Sequence, residues 1–105
     1  MMFRRLYWVT EQLDEQGCST VTGVYTSIPD LVRHGLRYVN DLPQGGFRLN
    51  LVKLDCTKKP LGIWESPRFE GLADRLSEYV ATDEFSQDQC NMLVEALSHF
   101  SGVKA

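Results

Sequence analysis

Apolar and polar residues alternate at strand spacing and then recur at helical spacing, and this succession occurs twice along the chain. From Phe3 to Thr10 the run is strand-like, with Tyr7, Trp8 and Val9 among the residues that favour extended backbone. Phe3, Arg5, Tyr7 and Val9 share one face, and Arg4, Leu6, Trp8 and Thr10 share the other. Both faces carry apolar side chains, which predicts a strand flanked on both sides. Leu13 to Ser19, with Asp14, Glu15, Gln16 and Gly17, reads as a polar turn. A second strand is expected from Thr20 to Thr26, rich in β-branched residues, so the two runs make a hairpin. Gly23 inside it marks a bulge or the close approach of a neighbour.

Helical spacing follows. Ser27 is placed to cap a helix, with Asp30 three residues on and Pro29 in the first turn, where its missing N–H is not needed. Ile28, Leu31, Val32, Leu36 and Val39 form the apolar stripe. Gly35 lies in that stripe at a cost of about 1 kcal/mol in helix propensity, which suggests close packing against the sheet. Asn40 to Gly46, holding Asp41, Pro43 and Gly45-Gly46, reads as a loop.

The second half repeats the order. Phe47 to Cys56 alternates as a strand, but the phase slips at Leu51-Val52, which implies a bulge there or burial on both sides. A turn at Thr57 to Pro60 leads to a short strand from Leu61 to Glu65. Ser66 and Pro67 resemble the N-cap and first position of a helix. Phe69, Leu72, Ala73, Leu76, Tyr79 and Val80 supply its stripe. After Thr82, Asp83 and Glu84, Ser86 with Gln89 forms a capping box for a third helix. Its core stripe is Cys90, Leu93, Ala96, Leu97 and Phe100, and Gly102 ends it.

The predicted order is β-β-α-β-β-α-α. It implies an α+β fold, a four-stranded, mainly antiparallel sheet with the helices packed on one face. Strand order stays open. The 105 residues suit a single domain, residues 1–105, and the apolar fraction of 43% is enough for a core without metal or disulfide support. The net charge of −3 argues against non-specific nucleic-acid binding. The three cysteines, Cys18, Cys56 and Cys90, are scattered and odd in number, as in a reducing compartment. The N-terminal apolar run is too short for a signal peptide, and no stretch reaches the ~20 apolar residues of a membrane span. A cytoplasmic location is expected.

Candidate chemistry is sparse. No Cys or His pair has the spacing of a zinc site, so neither metal nor cofactor is expected. Cys56 precedes Thr57, Lys58 and Lys59, and nearby cations lower a thiol's pKa, but a nucleophile there needs His34 or His99 brought to it by the fold. Gly45-Gly46 leads into a strand rather than a helix, unlike a phosphate cradle. The acidic pairs Asp14-Glu15 and Asp83-Glu84 have no apolar setting to raise a pKa for acid catalysis. Arg33, His34 and Arg37 lie close on the first helix and are the ligand-binding candidates, able to grip a phosphate or carboxylate; the solvated side of an amphipathic helix is the simpler account of them, since amphipathicity itself requires charged residues there. Trp8, Tyr25 and Trp64 are the interaction-surface candidates. They either line an exposed sheet face or pack in the core under the helices.

Three function classes follow. The first is a non-catalytic binding or protein-interaction module that self-associates, as a homodimer, through a sheet edge or the uncovered sheet face. The second is a small enzyme using Cys56 or His34 on an anionic substrate held by Arg33 and Arg37. The third is a single-stranded nucleic-acid-binding sheet using its aromatics with Arg4, Arg5 and Arg48. The absence of a catalytic constellation favours the first.

Overall fold

The computed structural model describes residues 6–14, 16–36, 46–53, 60–66 and 68–101, with side chains up to Ser98. Strands β1 (Leu6–Leu13) and β2 (Ser19–Tyr25) form the first hairpin. A helical turn, α1 (Ile28–Asp30), runs directly into a π-helical segment, Leu31–Gly35. Strands β3 (Gly46–Lys53) and β4 (Gly62–Glu65) come next, then helices α2 (Leu72–Ala81) and α3 (Gln87–Ser101). The four strands make one sheet in the order β2-β1-β3-β4, with every neighbouring pair antiparallel. The α+β class and the element order are as the residue pattern predicts.

The hairpin turn is tied by the Asp14 carboxylate, which accepts the N–H groups of Gln16 at 2.9 Å and Cys18 at 2.8 Å. Strand β1 extends past its expected end at Thr10 as far as Leu13, where the expected turn begins, while Phe3 to Arg5 lie outside the described residues. The bulge expected at Gly23 is present: the β1–β2 register shifts between Thr10 and Glu11, opposite Thr22 and Gly23. Strand β3 has no bulge, and its register runs unbroken against β1 from Gly46 to Lys53. The phase slip at Leu51-Val52 is the other alternative, with Leu51 buried under the helices and Val52 half-buried on the far side.

Two of the three expected caps form. Ser27 Oγ accepts the Asp30 N–H at 3.2 Å, and Ser86 Oγ accepts the Gln89 N–H at 3.1 Å. Ser66 does otherwise. Its N–H donates to the Phe47 carbonyl at 2.9 Å and its Oγ accepts the Phe47 N–H at 3.0 Å, so it prolongs the β3–β4 ladder. Helix α2 therefore starts six residues later than Ser66, at Leu72, after Gly71 at φ 86°. Phe69, at φ 48°, holds a left-handed conformation costly for a bulky side chain, and its buried ring packs edge-on against Phe47.

The core lies between the sheet and the helices. Trp8, Leu49, Leu51, Phe47 and Trp64 from the sheet meet Ile28, Leu31, Leu36, Leu72, Leu76, Cys90, Leu93 and Leu97. Trp8 stacks obliquely on Trp64 at 6.2 Å and on Phe85 at 5.7 Å. Thr10 is fully buried among them, its hydroxyl sharing a 2.8 Å hydrogen bond with that of Thr22. Tyr25 closes the β2 side. A Cβ on Gly35 would lie 2.7 Å from the Tyr25 ring, so the glycine does permit the close approach its place in the stripe suggests.

Candidate interaction face

Registers of the three strand pairs divide the sheet residues between two faces. On the covered face, successive rows are Tyr25, Trp8, Leu51 and Gly62, then Gly23, Thr10, Leu49 and Trp64. On the opposite face, one row crosses all four strands as Val24, Val9, Asn50 and Ile63. The next row is Val21, Glu11, Arg48 and Glu65, and Tyr7 pairs with Val52 on the other side of the first row. Among the described residues no helix packs on this second face: the helical residues of the core cluster meet the Trp8 and Trp64 side.

This open face is largely apolar. Val21, Val24 and Ile63 expose 57%, 58% and 51% of their surface, and Tyr7, Val9, Leu13 and Val52 are half-buried by their neighbours in the sheet. Asn50, in the middle of the apolar row, is 7% exposed and uses its amide to donate to the Val9 carbonyl at 3.2 Å. That hydrogen bond ties down the row's one polar side chain and leaves a level apolar centre.

Beside it lies a charged row. Arg48 Nε donates to Glu65 Oε2 at 2.9 Å, and Arg48 Nη1 donates to Glu11 Oε1 at 3.0 Å. The bond to Glu65 above all, with that to Glu11, raises the guanidinium pKa above its already high value. The two carboxylates thus consume the charge of the one basic residue on the described part of this face, which weakens its use on a phosphate backbone.

The residues singled out from the chain are dispersed. Trp8 and Trp64, 1% and 6% exposed, are core residues; Tyr25 is half-buried on the same covered side. Their expected place on an interaction surface is corrected: the helices dock on the Trp8 side of β1, since burying two indoles removes more apolar area from water than burying Tyr7 and Val9. Arg33 and His34 are exposed on the π-helical segment, while Arg37 and Cys56 lie outside the described residues. Cys18 is exposed and Cys90 buried, both as free thiols. Among the described residues no three His, Cys, Asp or Glu side chains gather as metal ligands, and no helix is long and apolar enough to cross a membrane. A groove of about 290 Å³ between α2 and α3, lined in part by Leu76, Cys90 and Val94, is open and shallow.

Sequence reasoning passed over Val9, Val21, Val24 and Ile63. The signal was present in the polar half of β3, where Arg48 and Asn50 alternate with Phe47, Leu49 and Leu51 and so mark the uncovered side. Pairing that strand with β1 then assigns Tyr7 and Val9 to the same side. The chain matches no protein-family model, no curated protein and no solved structure.

Proposed function

We propose that the protein is a non-catalytic interaction module that self-associates through the open face of its sheet. The observation that carries this reading is the apolar row of Val24, Val9, Asn50 and Ile63, which crosses the whole sheet with its two ends more than half exposed. Isolated exposed valines are ordinary on a protein surface, but a contiguous band on one layer of a two-layer fold is a surface suited to association. Free thiols at Cys18 and Cys90 suit a reducing compartment, and we assign the protein to the cytoplasm on that ground and on its scattered cysteines.

The size of the face sets the strength. Strands of eight, seven, eight and four residues, at roughly 3.4 Å by roughly 4.8 Å per residue, give about 440 Å² on each copy. Two copies then bury about 900 Å², the size of a weak, transient interface. Association is therefore weak and concentration-dependent. Light scattering after size exclusion, over a dilution series, tests it: the mass rises from the 12.0 kDa of one chain towards twice that value. Val24→Lys and Ile63→Lys each hold the chain monomeric while far-UV circular dichroism and the melting temperature stay near those of the parent. A parent chain that remains monomeric at several hundred micromolar removes the self-association reading.

A further inference from the structure

We infer that two copies pack face to face about a two-fold axis running parallel to the strands between β1 and β3, so that Arg48 of each copy meets Glu11 of the other. This rests on the self-association reading and fixes its geometry. A two-fold relation that keeps the strands of the two sheets aligned allows three arrangements, and the chemistry of the rows separates them.

Edge-to-edge pairing needs the axis perpendicular to the sheet. It is disfavoured at both edges: β2 is interrupted by the bulge at Thr22 and Gly23, and β4 has four residues. Face-to-face packing with the axis across the strands, along the apolar row, sets Val24 on Val24 and Ile63 on Ile63. It also exchanges the rows on either side, laying Glu11, Arg48 and Glu65 onto Tyr7 and Val52 of the second copy. Charges pressed onto apolar side chains lose water and gain nothing beyond the ion pairs they already make within their own copy.

With the axis along the strands each row lies on itself with its ends exchanged. Val24 covers Ile63, Val9 covers Asn50 and Tyr7 covers Val52. In the charged row Glu11 covers Arg48 and Arg48 covers Glu11, so opposite charges meet twice. Glu65 lies at the β4 rim, 52% exposed, and keeps its water opposite Val21. The atoms for the cross-contact are at hand. Within the described residues Arg48 uses Nε and Nη1, while Nη2 and Glu11 Oε2 make no hydrogen bond. Antiparallel sheets packed this way stay within about 30° of alignment, which the arrangement requires.

The test uses two variants and their mixture. Arg48→Glu places acid against acid across the interface, and Glu11→Arg places base against base. Each alone is expected to weaken dimerisation by at least about tenfold, whereas the equimolar mixture forms a heterodimer within a few-fold of the parent affinity. Circular dichroism and melting of each variant check that it folds. A second measurement avoids the charged row. Val24→Cys and Ile63→Cys, each in a chain with Cys18 and Cys56 replaced by Ser, are treated with a short bis-maleimide. Crosslinks are expected in the mixture, between positions 24 and 63, and in neither variant alone. Crosslinks within each variant alone overturn the arrangement and favour the axis across the strands, leaving self-association intact. A mixture of the charge variants that stays monomeric while the parent dimerises also overturns it. A parent chain that never dimerises removes both readings.

Discussion

Replacing Gly35 by alanine sets helix propensity against packing, and the structure decides which prevails. Alanine is favoured over glycine inside a helix by about 0.5–1 kcal/mol. Against this, the new methyl would lie 2.7 Å from Tyr25 Cε2 and 3.0 Å from Leu31 Cδ1. Ordinary carbon contacts are roughly 3.5–4.0 Å, so the ring must retreat by about 1 Å. It has little room: the space over Gly23 is also filled by the Tyr25 ring, with the same Cε2 atom 2.7 Å from where a Cβ would stand. Leu31, at 0% exposure, cannot yield outward. Overpacking of this kind costs about 1–3 kcal/mol, giving a net loss of up to about 2.5 kcal/mol. Urea unfolding should move the midpoint down at constant slope, with the melting temperature falling by roughly 4–8 °C per kcal/mol. In a Tyr25→Ala background the same substitution should become neutral or stabilising, a coupling of about 1 kcal/mol or more. Equal losses with and without the Tyr25 ring would refute the account, as would a gain in stability with the ring present.

Two further outcomes test the packing and the caps. Burial pushes the Cys90 thiol above its ordinary value of 9.0, so the folded chain keeps a proton that the unfolded chain releases in alkali. Its stabilising contribution is complete below about pH 9 and is lost as pH rises through the folded-state pKa; under reducing conditions the stability gap between the parent and Cys90→Val should shift against the parent over that range, and a constant gap contradicts the assignment. Ser66→Ala and Ser86→Ala should each cost about 1 kcal/mol but in different places, the first speeding amide exchange along β3 and β4 and the second at the start of α3; loss of protection confined to α2 in Ser66→Ala would return that serine to its expected capping role.

The open face and the charged row bear on one another. An apolar band alone makes a surface adhesive without choosing a partner or a direction. Arg48, drawn between Glu11 and Glu65, gives the band an alternation of sign, and alternation is what lets a surface recognise its own copy in one orientation. The three residues are far apart in the chain, 37 positions between Arg48 and Glu11 and 17 between Arg48 and Glu65, so no local motif announces them.

What the chain alone determined is what backbone geometry makes local. Periods of two and 3.6 residues specify which side chains share a face, and hence the strands, the stripes of α2 and α3, and the element order. Ser27 and Ser86 cap as their spacing implies because a cap is a contact three residues long. Gly23 and Gly35 likewise announced close approaches. The tertiary structure alone decided which face of β1 is covered, because both faces are apolar and only the docking of the helices distinguishes Trp8 from Tyr7 and Val9. It also decided the strand order and the fate of Ser66, whose partner is Phe47, nineteen residues earlier, rather than the next turn of its own chain. The surface offered to a partner belongs to this second class: it is the side the helices left open, and its rows exist only once four separate strands are aligned.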